Sequence, residues 1–322
     1  MKRVLATLWA VLVLSAPSAF AQNYPTRPVT LIVPFAAGGP TDIVARIVGE
    51  YFSKTLGQQF IIENIAGAGG TTGIARGAQA KPDGYTIMMG HMGTHGAAPA
   101  LYPNLRYDPA NGFEPIGLVA GTPILIVARK DFPAKDLKEF IAKAKDTSTR
   151  LSQAHAGVGS VSYTGCLLLN AAIGIKPTLV PFTGTAPAMN ALLAGQVDYV
   201  CDPILGPLPH VRAGTVKAHA IATAKRHPAL PDVPTSAEGG LPQFSAAPFY
   251  AVFAPKGTPQ PVLDRLIAAL DSALDHEAAR KRLIDLGAEI AEKGRRGPAP
   301  LAALVKSEIA RLTPILQAAA GK

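Results

Sequence analysis

Two glycine-rich segments have the residue types and spacing of loops that hold small anions through backbone N–H groups. Residues 34–42 read Pro-Phe-Ala-Ala-Gly-Gly-Pro-Thr-Asp, and residues 64–73 read Asn-Ile-Ala-Gly-Ala-Gly-Gly-Thr-Thr-Gly. Each segment follows a short apolar run and precedes helix-forming sequence. Glycine lets the backbone approach a ligand closely, and a helix N-terminus adds partial positive charge. We therefore expect a site built from main-chain donors and suited to a small anion.

The second segment departs from both common phosphate-binding motifs. Thr72 stands where a dinucleotide fingerprint has its third glycine, and Gly73 comes one residue late. No acidic residue ends the next strand at the expected distance, and no Gly-Lys-Ser/Thr follows either segment. The sequence thus argues against NAD and against a P-loop nucleotide site, and we expect no cofactor.

Asp42 closes the first segment at the predicted start of a helix. The helix dipole favours a carboxylate there, but beside a bound anion it would repel the ligand. We expect Asp42 to serve the local structure, and the backbone N–H groups of residues 37–41 to bind the ligand.

His91 and His95 are four residues apart, a spacing that would place both on one helix face, as in zinc sites. Gly90, Gly93 and Gly96 instead favour a loop after the third predicted strand, and no cysteine or carboxylate lies nearby as a third ligand. We predict no metal site here. One of the two histidines, His91 in our assignment, is expected to contact the ligand.

Polar residues also precede or follow predicted elements in the second half of the chain. Residues 157–162 lead into a helix near Tyr163, and their serines could cap it or offer hydroxyls to a ligand; the Gly-x-Ser-x-Gly elbow is missing. Residues 181–187 form a second loop that enters a helix. Asp202 follows a predicted strand. It either braces a turn or accepts from a ligand ammonium or hydroxyl, and both alternatives stay open.

The N-terminus has the layout of a secretory signal peptide: two basic residues, an apolar run over residues 4–14 and a small-residue cleavage signal ending at Ala21. The run is shorter than the ~20 residues that span a bilayer. We expect cleavage after Ala21 and a periplasmic, soluble protein.

The net charge of +9 includes Lys2 and Arg3, so the mature chain carries +7. Its cations are scattered and few aromatic residues accompany them, which argues against nucleic-acid binding. Cys166 and Cys201 lie in apolar sequence and are expected to be buried free thiols, although pairing cannot be deduced from sequence.

Short apolar runs alternate with amphipathic segments after residue 22, which predicts an α/β fold built from βαβ units with a mainly parallel sheet. Residues 113–130 and 249–256 are predicted to cross between two domains. This places residues 22–122 and 250–322 in a discontinuous domain 1 and residues 123–249 in domain 2, with the ligand in the cleft between them.

Six motifs in order resemble the Bug-type (TctC-like) extracytoplasmic solute receptors, the substrate-binding proteins of tripartite tricarboxylate transporters. The resemblance covers the chain from about Tyr24 to near its end. Its motifs are Pro34-Phe35-x-x-Gly38-Gly39-x-x-Asp42, Gly67-Ala68-Gly69-Gly70, Lys81-Pro82-Asp83-Gly84-Tyr85, Leu193-Ala194-Gly195-Gln196-Val197-Asp198, Asp202 and Leu230-Pro231-Asp232-Val233-Pro234-Thr235.

The resemblance implies two domains of periplasmic-binding-protein type (type II-like) that close on a small carboxylate, such as a di- or tricarboxylate, an amino acid or an aromatic acid. It also implies delivery to transporter subunits or a sensor kinase, and we expect a monomer that is not an enzyme. An exported hydrolase of a carboxylated substrate, with His91 or His95 as base, is the alternative. The expected ligand-binding positions, with His91 added from the loop argument, are Phe35, Ala37, Gly38, Gly39, Thr41, Gly67, Ala68, Gly69, Gly70, His91, Gly159, Ser160, Val161, Gly184, Thr185, Ala186 and Asp202.

Overall fold

The computed structural model describes residues 24–246 and 248–319, so the predicted signal peptide lies outside the described residues. Eleven strands in this part of the chain form two sheets, in the orders β11-β4-β10-β3-β1-β2 and β7-β6-β8-β5-β9. The first sheet contains β1 (Val29–Val33), β2 (Phe60–Asn64), β3 (Thr86–His91), β4 (Phe113–Gly121), β10 (Phe249–Pro255) and β11 (Glu289–Ile290). The second contains β5 (Ile124–Arg129), β6 (Ser152–His155), β7 (Thr178–Pro181), β8 (Tyr199–Pro203) and β9 (Val216–Ile221).

Helices pack against each sheet, and we call each sheet with its helices a lobe. The first lobe holds α1 (Pro40–Leu56), α2 (Thr71–Ala78), α3 (Ala98–Leu101), α8 (Gln260–Asp275), α9 (Glu277–Asp285) and α10 (Pro298–Ala319). The second lobe holds α4 (Leu137–Lys145), α5 (Val161–Ile173), α6 (Thr185–Leu193) and α7 (Leu208–Arg212). Two clusters of buried apolar residues each include side chains of both sheets, so the core continues through both lobes. Within the described residues, no helix is long and apolar enough to cross a membrane.

The prediction of a mainly parallel sheet is wrong, because both sheets are mixed. Parallel pairs join β1 to β2 and β3, and β6 to β7 and β8. Antiparallel pairs join β10 to β3 and β4, β11 to β4, and β5 to β8 and β9. The reason is the path of the chain: β4 and β5 carry it from the first sheet to the second, and β10 carries it back in the opposite direction.

The expectation of two free thiols is also wrong. Cys166 on α5 and Cys201 on β8 form a disulfide, with their Cα atoms 5.0 Å apart. Both side chains are fully buried, as expected from their apolar neighbours. Helix α5 packs directly on β8, and this tertiary contact brings together two cysteines that are 35 residues apart in sequence.

The segment after β3 is helical, in contrast to the predicted loop. Residues 92–97 form a π-type helical turn that continues into α3. The His91 side chain caps this turn by accepting from the backbone N–H groups of Gly93 and Thr94, at 2.9 and 3.2 Å. Helix α10 packs against the same turn. This cap and this packing offset the low helix propensity of Gly93 and Gly96, the two glycines of the turn.

Candidate functional site

The first glycine-rich segment connects β1 to α1, and Asp42 holds its shape. One carboxylate oxygen of Asp42 accepts from the Gly38 N–H at 2.9 Å and from Arg46 Nε at 2.8 Å, and the other accepts from Asn64 Nδ2 at 2.9 Å. Although burial opposes ionisation, these hydrogen bonds lower the pKa of Asp42. Asp42 therefore has the structural role expected for it. Its bond to Gly38 also means that this N–H is already used within the loop.

A narrow cavity lies between the lobes. The first lobe contributes residues from the loop before α1 and the start of that helix, from the end of β3 and from β10. The second lobe contributes residues from the loop after β6, from the starts of α5 and α6 and from the end of β8. The lining residues are Phe35, Gly39, Pro40, Thr41, His91, Ala156, Ser160, Val161, Ser162, Thr185, Pro203 and Tyr250.

Three helix N-termini meet at this cavity. Gly39 precedes the first residue of α1, Ser160 is the N-cap of α5, and Thr185 is the first residue of α6. None of the lining residues is a lysine or arginine. Unpaired N–H groups and the helix dipoles therefore supply the positive potential, a combination that suits an anion.

Two serines on the second lobe present hydroxyl groups to the cavity. Ser160 Oγ accepts from the Tyr163 N–H at 3.1 Å, and Ser162 Oγ accepts from the Ala156 N–H at 2.9 Å. The two hydroxyls are 3.2 Å apart. Since only one of them can donate to the other, the second hydroxyl proton remains for a ligand.

Asp202 lies in β8, behind the wall formed by Thr185 and Pro203. Its side chain is fully buried, and Thr185 Oγ1 donates to one carboxylate oxygen at 3.1 Å. Among the described residues, the other oxygen has no hydrogen-bond partner. Burial raises the pKa of Asp202 to about 8, against the effect of the Thr185 hydrogen bond. At neutral pH Asp202 thus contributes little negative charge beside the cavity.

His91 is 1% exposed and lies between the ring of Phe35 at 5.0 Å and that of Tyr250 at 5.9 Å. Its Nδ1 accepts two backbone N–H groups, which leaves the ring proton on Nε2. No hydrogen bond within the described residues engages Nε2, and the ring lines the cavity. Burial lowers the pKa of His91 to about 3. His91 is therefore a neutral donor at physiological pH.

His95 does not line the cavity. It is fully buried and stacks on Phe253 with ring centroids 4.0 Å apart. Thr94 Oγ1 lies 3.0 Å from its Nδ1. Within the described residues, no group of three or more His, Cys, Asp or Glu could hold a metal ion.

The second glycine-rich segment lies at the mouth of the cavity rather than in its wall. Residues 67–70 all have positive φ, and Gly69 meets the backbone of the second lobe: a Cβ built on it would lie 1.6 Å from the carbonyl oxygen of Val158. A Cβ on Gly70 would lie 2.8 Å from the ring of Phe35. The segment thus supports Phe35 from behind and accepts the loop of residues 157–159 on its surface.

The structure gathers seven of the predicted ligand-binding residues around the cavity: Phe35, Gly39, Thr41, His91, Ser160, Val161 and Thr185. Ten others stand next to this wall or at the mouth, outside the lining: Ala37, Gly38, Gly67, Ala68, Gly69, Gly70, Gly159, Gly184, Ala186 and Asp202. Lining residues outside the predicted set of binding positions are Pro40, Ala156, Ser162, Pro203 and Tyr250. Ser162 belongs to the loop of residues 157–162, whose serines were expected either to cap a helix or to offer hydroxyls to a ligand. Tyr250 could not be predicted, because it reaches the site only through the pairing of β10 with β3, which sets it opposite His91.

Comparisons with known proteins agree on one family. A family model described as "Tripartite tricarboxylate transporter family receptor" matches residues 44–320. The chain is 41% identical over 317 residues to a protein of Agrobacterium vitis named "UPF0065 protein in the TAR-I ttuE-ttuC' intergenic region", a match that covers 98% of this chain and 91% of that protein.

Two solved structures share both lobes. MatC (Rpa3494) from Rhodopseudomonas palustris, solved with bound malate, has a TM-score of 0.89 and 50% identity, covering 91% of this chain and 100% of that chain. The periplasmic binding protein BugD has a TM-score of 0.89 and 42% identity, covering 92% of this chain and 99% of that chain.

Proposed function

Because this chain belongs to the tripartite tricarboxylate transporter receptor family, we propose that it is a periplasmic binding protein that encloses a small dicarboxylate between its lobes. The observation that carries the proposal is the meeting of the N-termini of α1, α5 and α6 at one cavity without a cationic side chain. Backbone N–H groups in that arrangement bind a carboxylate. The malate bound by MatC makes a four-carbon dicarboxylate the first ligand to test.

The two walls of the cavity offer donors to the two ends of such a ligand. Thr41 at the start of α1 and the Nε2–H of His91 belong to the first lobe, while Ser160 and Thr185 belong to the second. A ligand that contacts both walls only when the lobes are together shifts the protein towards the closed form. Asp202, neutral at the pH of the cell envelope, adds a hydrogen-bonding group behind Thr185 without repelling the anion.

The remaining parts of the proposal concern the whole protein. Export with cleavage after Ala21 is supported by the layout of the N-terminus. The division into residues 22–122 with 250–322, and residues 123–249, is supported by the membership of the two sheets. Delivery of the ligand to transporter subunits or a sensor is supported by the family, and we propose that the receptor acts as a monomer.

The hydrolase alternative has no support in the site. His91 Nδ1 already accepts from the backbone, and His95 lies in the core. Within the described residues, no hydrogen bond joins either histidine to Ser160 or Ser162, the hydroxyl groups that could act as nucleophiles.

Titration calorimetry with malate tests the proposal, on protein that has been unfolded, dialysed and refolded to remove any bound ligand. We expect one site per chain and about tenfold weaker binding in Ser160→Ala, which removes a hydroxyl beside the ligand. Ser307→Ala is the matched control, since Ser307 is exposed on α10 and its hydroxyl donates to the Leu304 carbonyl, its one partner in the part of the chain that the structure describes. Absence of binding to malate and to other small dicarboxylates, or equal affinity in Ser160→Ala and wild type, would contradict the proposal.

A further inference from the structure

A tyrosine of the first lobe donates a hydrogen bond to the second lobe at the mouth of the cavity. Tyr102 directly follows α3, and its hydroxyl lies 2.6 Å from the carbonyl oxygen of Val158, in the loop between β6 and α5. Neither residue lines the ligand cavity. The bond therefore joins the lobes without touching the enclosed ligand.

Around this hydrogen bond, the two lobes pack closely against each other. A Cβ on Gly69 would lie 3.1 Å from the Tyr102 hydroxyl, in addition to its clash with Val158. A Cβ on Gly159 would lie 3.0 Å from the Tyr102 ring, and one on Gly157 would lie 3.1 Å from the Gly69 nitrogen. Glycine on both sides thus lets backbone meet backbone, and the Tyr102 hydroxyl is the side-chain donor at the centre of this contact.

Such a contact exists only while the lobes are together. Its free energy adds to the closed form and not to the open one, so it raises the closed fraction and thereby the apparent affinity. Loss of the bond should act mainly on the rate of opening, because the bond belongs to the closed form and must break before the ligand can leave.

We propose that Tyr102 is a positioning residue. Its hydrogen bond to the loop of residues 157–159, which we call the clasp, sets how long a captured ligand stays enclosed. The proposal rests on the proposed function. Tyr102→Phe removes the donor and keeps the ring. Because Val158 is 40% exposed, water can reach its carbonyl after the change, and the loss corresponds to one neutral hydrogen bond. We expect malate to leave about two- to twelvefold faster, with an unchanged association rate.

The test measures release of radiolabelled malate after a chase with excess unlabelled malate, in wild type, Tyr102→Phe and Tyr85→Phe. Tyr85 is the matched control because, among the described residues, its hydroxyl bonds Thr26 alone, and it does not line the cavity. Hydrogen exchange of the backbone over residues 66–72 and 156–162, without ligand, is the second measurement. The clasp predicts faster exchange of both segments in Tyr102→Phe alone.

Each result bears on one of the two proposals. Release and exchange in Tyr102→Phe equal to those in Tyr85→Phe would overturn the clasp and leave the proposed function intact. A lower melting temperature without faster release would also overturn it, since it would show a structural role only. If wild type binds no malate, the proposed function fails, and the exchange comparison alone decides the clasp.

Discussion

Replacement of Gly69 by alanine separates a role in closure from a role in direct ligand contact. Gly69 has φ 61° and ψ 24°, the left-handed region in which a Cβ costs about 1–2 kcal/mol. The added Cβ would also lie 1.6 Å from the Val158 carbonyl oxygen, so the loop of residues 157–159 must withdraw by about 2 Å to reach ordinary contact. Separation of the lobes provides that space without disturbing either sheet. We therefore expect a folded protein whose closed form is strongly disfavoured.

Gly57→Ala is the matched control, since Gly57 has φ 73° and a Cβ there meets nothing within 4 Å. Both variants should lose a similar free energy of unfolding in urea. Only Gly69→Ala should weaken malate binding, by about 100-fold or more, which corresponds to a closing penalty of about 2.7 kcal/mol. Calorimetry at 25 °C measures both affinities. An affinity of Gly69→Ala within about threefold of the control would refute a role of the second glycine-rich segment in closure.

Three further predictions concern groups in or beside the cavity wall. Asp202 ionises above about pH 4 in the unfolded chain but only near pH 8 in the folded protein, so the free energy of unfolding of wild type should fall as the pH rises through this range, by up to about 1.4 kcal/mol per pH unit. Urea titrations should show a smaller fall in Asp202→Asn. An equal fall in the two proteins would show that Asp202 does not titrate in this way. Replacing Cys166 and Cys201 by alanine should lower the free energy of unfolding by about 2–4 kcal/mol, and an unchanged urea midpoint would count against the disulfide. His91→Phe should weaken malate binding about tenfold at both pH 6 and pH 8, because the imidazole that donates through Nε2–H is neutral at both. A tenfold difference between the wild-type affinities at pH 6 and pH 8 that disappears in His91→Phe would indicate a charged histidine.

Local signals predicted the elements that hold the first-lobe wall. The apolar run Val29–Val33, which the sequence predicts as a strand, forms β1 with the same bounds. Helix α1 begins at a proline and ends before Gly57, whose N–H bonds the Ser53 carbonyl at 3.1 Å. The residues that specify these elements are adjacent in sequence, which is why their pattern can be read there. The same holds for the loops that precede α5 and α6.

Features that depend on contacts between residues distant in sequence could not be predicted from the sequence. Helix α10 was not predicted, because Pro314 in its interior argues against a long helix. Packing against β4 and the π-type turn stabilises the helix. The disulfide depends on how α5 packs on β8, and the place of Tyr250 depends on the register between β10 and β3. The steric role of Gly69 is of the same kind, since its partner Val158 belongs to the other lobe. Such contacts are set by tertiary structure, which a single sequence does not display.

A crystal structure of the protein with malate tests the central claim most directly. The account predicts one malate enclosed between the lobes, with carboxylate oxygens within hydrogen-bond distance of backbone N–H groups at the starts of α1 and α6 and of the Ser160 hydroxyl. It also predicts the Tyr102 hydroxyl on the Val158 carbonyl in that complex. Malate bound outside the cavity, or a cavity that holds only water at saturating malate, would contradict it.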